Sequence, residues 1–374
     1  GLWGWALDLY ILAKCNIDLS SILQIHNEKT TTSYTPIVHF SGILSVILSS
    51  WLFLYYLYMP SPTTAIVPYL LAFLLLLWPG DSIYRKDRVR FIRMLKRTFF
   101  SGIYSPVFFS DIIFADMLTS VSNVFGDWFM ANCVMLTGQP LSYFMENTDN
   151  IYYKDIVVPF IISIPYLIRL RQCISEYIES KEQRHVYNAL KYATSIPVIV
   201  FSAIQKKANI YILETGQVPD SWYFTEIHVF RFWVMFVFIN SMYSFWWDIS
   251  MDWNLITISQ HQTIQIRRQL YFSQPVYYLM AVCLDFLLRI TWSFKLSSHL
   301  LIRHLDSSIF LLELMEVFRR WVWVMFRMEN EWVKKVYSSL PNTLRLDRLD
   351  RKSPSGLLSP IVEEEDTATF PNIE

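Results

Sequence analysis

The chain reads as an all-α, polytopic transmembrane helical bundle of about nine or ten membrane helices. Three observations carry that expectation. The composition is 53% hydrophobic and 17% aromatic, with only nine glycines in 374 residues. The apolar residues are gathered into blocks near the roughly 20 residues that a crossing helix needs. Polar and charged residues recur inside those blocks at helical spacing, including two adjacent arginines, Arg319 and Arg320, in the middle of 308–328.

The blocks follow in order. Gly1–Ala13 looks like the tail of one such helix, and 36–59 and 63–79 are apolar throughout. Residues 85–97 then carry seven cations, so 88–104 reads as a helix in the membrane interface with snorkelling Arg and Lys, or as a kinked partial crossing. Further spans are expected at 112–137, 156–174, 186–204, 227–247, 275–294 and 308–328. Basic residues mark cytosolic loops. Segment 85–97, loops 169–185 and 248–274 and the C-terminus all fall on that side, Arg267 being one of the marking charges. Beyond Ser338 the composition turns to Pro, Ser, Asp and Glu and reads as disorder. The expected organisation is 1–104 for the first helices and basic segment, 105–337 for the transport bundle, and 338–374 for a cytosolic tail.

Several function classes lose support. Lys and Arg balance Asp and Glu at 32 each, which gives no ground for a nucleic-acid partner. Four scattered cysteines form neither a disulfide framework nor a zinc pattern and read as small buried thiols. The seven histidines show no metal-ligand spacing. No Walker loop, Gly-X-Ser-X-Gly elbow or HExxH motif occurs. No catalytic residue, metal or cofactor is expected. No cleavable signal is visible, and since Gly1 is not an initiator Met the true start is left open.

The buried charges are the most informative feature. Asp116, Ser120, Asn123 and Asp127 share one stripe of 112–137, and Asn188, Lys191 and Ser195 share one of 186–204. Asp285 and Arg289, like Glu316 and Arg320, are i,i+4 pairs with the acid first. At 1.5 Å per residue, Lys191, Arg289, Arg319 and Arg320 all lie within about 6 Å of mid-bilayer. A charge there costs roughly 2.5–3.5 kcal/mol on insertion scales. Four cations against Asp116, Asp285 and Glu316 leave one positive charge over. With the hydroxyls of Tyr192 and Ser195, that surplus describes a wet pocket for a small, multiply charged oxyanion. Asp248 and Asp252 are either a solvated acid pair at a helix end or a gate that pairs with the arginines when the anion leaves.

Five blocks also carry a family resemblance: Ile112–Ser120, Asn188–Ser195, Phe245–Leu255, Asp285–Trp292 and Glu316–Trp332. In this order they resemble the signature blocks of the EXS domain. That domain occurs in xenotropic/polytropic retrovirus receptor-type and plant phosphate exporters and in fungal ER-retention-defective Golgi proteins. Larger members carry an N-terminal SPX domain; here membrane-type sequence starts at once, which resembles the fungal Golgi branch. The resemblance implies a transporter or channel for inorganic phosphate. It points to Asp116, Lys191, Tyr192, Asp248, Asp252, Arg289, Trp292, Arg319 and Arg320 as path or site residues. Lys191, Tyr192, Arg289, Arg319 and Arg320 would bind phosphate, with Asp116, Asp248, Asp252, Asp285, Glu316 and Trp292 as counter-ions or gates. Thr119 departs from the Asn that exporters of this type tend to place there.

The Golgi branch implies return of phosphate released by lumenal glycosylation to the cytosol, which supports glycosylation and retention of resident proteins. A Golgi membrane location follows, ahead of the plasma membrane. The partners are inorganic phosphate, membrane lipids, Golgi glycosyltransferases and, as a homodimer, a second copy of the chain. The rival reading is a non-transporting adaptor that recycles glycosyltransferases through segment 85–97 and the tail. A membrane enzyme acting on a phosphorylated lipid or sugar is a third, without a visible nucleophile.

Overall fold

The computed structural model describes residues 1–23, 34–58, 64, 66–81, 83–137, 156–215, 226–258, 264–267, 270–272, 274–290 and 306–339. These residues form an all-α bundle with one small hairpin. In chain order the helices are α1 (Leu2–Lys14), α2 (Leu19–Ile22), α3 (Thr35–Tyr58), α4 (Ile66–Leu77), α5 (Arg85–Phe100), α6 (Phe109–Ser120) and α7 (Ser122–Thr137). There follow α8 (Val158–Ser180), α9 (Gln183–Ala193), α10 (Ser195–Thr215), α11 (Glu226–Trp247), α12 (Pro275–Arg289) and α13 (Asp306–Ser339). Strands β1 (Ile256–Ile258) and β2 (Ile264–Ile266) pair antiparallel with Ile256 opposite Ile266.

Two segments, Thr35–Tyr58 and Ile227–Asp252, are long and apolar enough by themselves to cross a bilayer. Only 6% of the first one's apolar window is buried, and α4 likewise exposes Leu70, Leu71, Phe73 and Leu74. Such apolar surface facing outward suits a lipid environment. The remaining long helices carry the polar residues that the bundle encloses, which dilutes their hydropathy.

Helix α13 is the axis of the fold. Its 34 residues reach about 51 Å, longer than a hydrocarbon core of about 30 Å. Trp323, Val324 and Met328 pack with Leu9 and Leu12 of α1, Leu19 and Ile22 of α2, Ile113 of α6 and Tyr278 of α12 in one buried cluster. Close approach at the α1–α13 crossing needs Gly4, where an added Cβ would stand 3.0 Å from the Trp321 ring. The Trp321 indole donates to the Gly4 carbonyl at 3.0 Å.

Two expected continuous helices are broken. The span 112–137 is interrupted at Val121, so Asn123 and Asp127 turn outward while Asp116 stays buried, and the expected single stripe does not exist. The Thr119 carbonyl at the break accepts from the Tyr166 hydroxyl at 3.3 Å, which satisfies a group the helix has released. The span 186–204 is interrupted at Thr194, whose hydroxyl donates to the Lys191 carbonyl at 2.7 Å. Pro197 supplies no backbone N–H and fits the first turn of the helix that restarts at Ser195.

Two loop expectations are also corrected. Region 169–185 is not a loop, since α8 runs to Ser180 and Arg169 is 2% exposed. Arg267, expected as an orientation charge in solvent, is buried against α13. Its guanidinium donates to both oxygens of Glu329, at 2.8 and 2.6 Å, and to the Asn330 side-chain oxygen at 2.7 Å. Tyr278 and the Tyr271 amide donate to the same Glu329 carboxylate. Arg88 in α5 does not snorkel. It turns inward and donates to the carbonyls of Trp78, Gly80 and Ile83, capping the chain as it leaves α4. Of the cysteines, Cys173 is buried as expected, but Cys283 is exposed. The tail 338–374 falls almost wholly outside the described residues.

Arg267→Ala is expected to strand a buried Glu329 and to cost about 3–5 kcal/mol. Thermal unfolding of the purified protein in detergent measures it: Tm should drop by several degrees, and an unchanged Tm would contradict this assignment.

Candidate functional site

The site grows from the polar face of α13, with α6, α8, α9, α12 and the end of α11 closing around it. Helix α11 finishes in a π turn, Asp248–Asp252, with Trp253 N–H bonding back to the Asp248 carbonyl at 2.8 Å. The wider turn rotates the chain so that both Asp248 and Asp252 face inward, 1% and 9% exposed. They are therefore not a solvated pair at a helix end.

The first knot is a closed square of two arginines and two aspartates. Asp285 accepts from Arg289 Nε at 2.9 Å and from Arg319 Nη1 at 3.1 Å. Asp248 pairs with Arg289 and lies 3.6 Å from Arg319. Glu316 adds a fork onto Arg319, with oxygens at 2.9 and 2.5 Å. This corrects the expected Glu316–Arg320 pair, because the i,i+3 geometry brings Glu316 to Arg319 instead. Asp285–Arg289 forms as expected.

Asp116 anchors the second knot. One of its oxygens accepts from Arg169 Nε at 2.8 Å and from the Tyr192 hydroxyl at 2.5 Å. The Arg169 guanidinium also lies 4.9 Å from the centre of the Tyr192 ring. Lys191 is held by rings more than by acids: 4.4 Å from the Tyr192 centroid, 5.5 Å from that of Trp247, and 3.9 Å from the nearest Asp252 oxygen. Asp252 in turn reaches Arg327 at 3.7 Å.

Arg320 differs from all of these. It has no carboxylate within ion-pair distance among the described residues. Its Nε donates to Ser120 Oγ at 2.8 Å, its Nη2 lies 3.4 Å from Thr119 Oγ1, and its plane covers the Trp323 ring at 4.6 Å. Ser120 donates onward to Glu316 at 2.9 Å. Arg320 is half-buried, whereas its neighbour Arg319 is 4% exposed. Both Asp116 and Asp248 lie within electrostatic reach of Arg320 and of Lys191, which ties the two knots into one charged region.

Six cations (Arg169, Lys191, Arg289, Arg319, Arg320 and Arg327) thus face six carboxylates (Asp116, Asp248, Asp252, Asp285, Glu316 and Glu331). The net positive surplus expected from the sequence is not found among these described residues; the imbalance is local, with Arg320 set apart from every carboxylate. At Arg289 and Arg319 the expected open pocket is closed, since carboxylates occupy the positions an oxyanion would take. Ser195 is turned away and bonds the Asn240 side chain. Trp292 lies outside the described residues. Arg169 was missed because it sits among residues that mark a cytosolic edge; its helical register with Gln172, to which it donates at 2.5 Å, was the available signal. Among the described residues no group of His, Cys, Asp and Glu could hold a metal ion.

Comparison with known proteins agrees in extent with this site. The EXS family model matches residues 1–333, spanning every site residue above. Protein ERD1 homolog 1 of Schizosaccharomyces pombe is 30% identical over 363 residues, covering 90% of this chain and 88% of the relative. Solute carrier family 53 member 1 of Homo sapiens is 29% identical, covering 68% of this chain and 36% of its own. The Xenopus laevis xenotropic and polytropic retrovirus receptor 1 homolog is 26% identical over 82% of this chain and 44% of its own.

The Asp116–Arg169 pair predicts strong coupling. In a double-mutant cycle of Asp116→Asn and Arg169→Gln, unfolding free energies should depart from additivity by about 0.5–3 kcal/mol. Simple additivity would show that the two side chains do not act on one another.

Proposed function

We propose, from the premise that the chain belongs to the EXS family, that it is a membrane transporter or channel for inorganic phosphate. The observation that carries this reading is Arg320: a half-buried guanidinium, unpaired among the described residues, set between two hydroxyls and an indole at the edge of a dense ion-pair network. A guanidinium fork suits a phosphate oxygen pair, and the Thr119 and Ser120 hydroxyls supply neutral partners on either side.

The network explains how such an anion could be both held and released. Phosphate arriving at Arg320 draws on Arg319 as well, in competition with Glu316. Each further step replaces a carboxylate–cation contact with a phosphate–cation contact, first around Asp248 and Arg289, then around Asp252 and Lys191. The cation stays compensated at each step, while the displaced carboxylate falls back on its remaining partners, as Glu316 does on Ser120, at a cost that opposes tight binding. The same competition keeps affinity low, on the order of millimolar, as conduction requires. Similarity to Protein ERD1 homolog 1 over nine-tenths of the chain supports placement with the Golgi branch. There the task would be return of lumenal phosphate to the cytosol, in support of glycosylation and of retention of resident proteins.

Phosphate flux in proteoliposomes tests the reading. Arg320→Ala should lower flux by at least about tenfold, worth about 1.4 kcal/mol, with Arg320→Lys intermediate. Deleting 341–374 should leave flux intact, whereas an adaptor working through its tail would lose its function. Undiminished flux in Arg320→Ala together with Arg289→Ala would defeat the mechanism.

A further inference from the structure

Helix α5 follows the two outward-facing apolar helices α3 and α4 and carries the basic run 85–97. The sequence places these cations at a membrane interface without distinguishing among them; the structure sorts them. Arg85 pairs with Asp81 at 3.2 Å, Arg90 with Asp87 at 3.0 Å and Arg97 with Asp111 at 2.8 Å. Arg88 is turned inward onto backbone carbonyls. The three acids beside the helix are therefore taken. Lys86, Arg93 and Lys96 are left with no carboxylate within ion-pair distance among the described residues.

Those three share one face. Lys86, Val89, Arg93, Lys96 and Phe100 follow one another at steps of three and four residues, all exposed and all within about 80° of arc. The opposite face is fastened to the bundle. Thr98 is fully buried, Phe91 meets Phe114 of α6 edge-on at 5.8 Å, and Arg171 of α8 donates to the Thr98 and Ser101 carbonyls. The free cations are thus held outward.

The stripe is not purely charged. Phe100 is 83% exposed, Val89 is exposed, and the chain runs on into the exposed Ile103 and Tyr104. A solvated helix face has no use for bare rings beside its cations, whereas the headgroup layer of a bilayer accommodates both. The face also continues the outward apolar surface of α4, where Leu74, Leu77 and Trp78 are exposed just before α5 begins.

We propose that the outer face of α5 is a docking surface for the anionic phospholipids of the leaflet it meets. Lys86, Arg93 and Lys96 take the headgroup phosphates and carboxylates, and Phe100, Ile103 and Tyr104 enter the apolar layer beneath them. The surface is separate from Arg320 and independent of what the bundle transports. The competing occupant is the chain's own acidic segment Glu363–Asp366. The apolar side chains within the stripe favour lipid over that segment.

Lipid titration of the intact purified protein in detergent tests this, with bound phosphatidylserine or phosphatidylcholine counted by native mass spectrometry. Each cation near an anionic lipid contributes a factor of about five, so phosphatidylserine should bind at least about tenfold more tightly. Arg93→Gln with Lys96→Gln, both exposed, should remove about that tenfold preference and leave phosphatidylcholine unchanged. Phe100→Ser with Tyr104→Ser should weaken both lipids. Lys181→Gln with Arg184→Gln is an equal loss of exposed charge at the junction of α8 and α9, and should leave the preference in place. Equal binding of the two lipids by the unaltered protein would overturn the proposal, as would equal losses from the two charge-removing pairs. A preference that emerges only after deletion of 341–374 would put the acidic segment on this face, and overturn it as well.

Discussion

Twelve ionised groups packed into one region can coexist only if nearly all are compensated by their neighbours, and that constraint shapes the whole bundle. The residues come from α6, α8, α9, α11, α12 and α13, so no helix can shift without uncovering a charge. Removing one partner from such a pair costs about 3–5 kcal/mol, because the other is left buried and alone. The network is thus a structural tie as much as a site. What makes it more than a tie is its imbalance. Asp285, Asp248 and Glu316 over-satisfy Arg289 and Arg319, while Arg320 receives only hydroxyls.

The broken helices end at the same network. Asp116, Lys191 and Tyr192 are buried near the ends of α6 and α9, just before the breaks. At the breaks the Thr119 carbonyl accepts from Tyr166 and the Lys191 carbonyl from the Thr194 hydroxyl, which also lies 2.9 Å from the Asn240 side-chain oxygen. The π turn at Asp248–Asp252 serves the third approach to the site in the same way. Its Asp252 carbonyl is held by Asn330 at 2.7 Å, and Asn330 by Arg267, so the buried clamp at the end of α13 fixes where that carboxylate stands. Non-helical backbone at membrane depth is tolerated where it is buried in protein, and all three interruptions meet that condition.

Much of this was legible in the sequence. Apolar block length located most helix starts to within a few residues but stopped short of the ends of α8, α10 and α13, and intramembrane charge identified Asp116, Lys191, Asp285, Arg289, Arg319 and Arg320 as inward-facing. The i,i+4 rule succeeded for Asp285–Arg289 and failed for Glu316, since on a helix i+3 and i+4 are equally near and tertiary partners decide between them. Arg320 was already engaged by Ser120 on a different helix, which no local spacing reveals. Arg169, Arg267 and Arg88 were read as surface charges because a bulk rule for loops treats every basic residue alike. Their acceptors lie 53, 62 and between 5 and 13 residues away, beyond the reach of a periodicity argument. Of the two interruptions, Pro197 signalled one; the break at Val121 has no Pro or Gly beside it and depends on contacts made by Tyr166.

The central claim is that an oxyanion supplies Arg320 with the counter-charge that no neighbouring carboxylate gives it. An experimental structure determined in saturating inorganic phosphate tests it most directly. The expected result is an anion bound between Arg320 and the Thr119 and Ser120 hydroxyls, with the Glu316–Arg319 fork lengthened beyond 4 Å. A saturated protein in which Arg320 still rests on Ser120, Glu316 still grips Arg319 and no anion touches either arginine would contradict it.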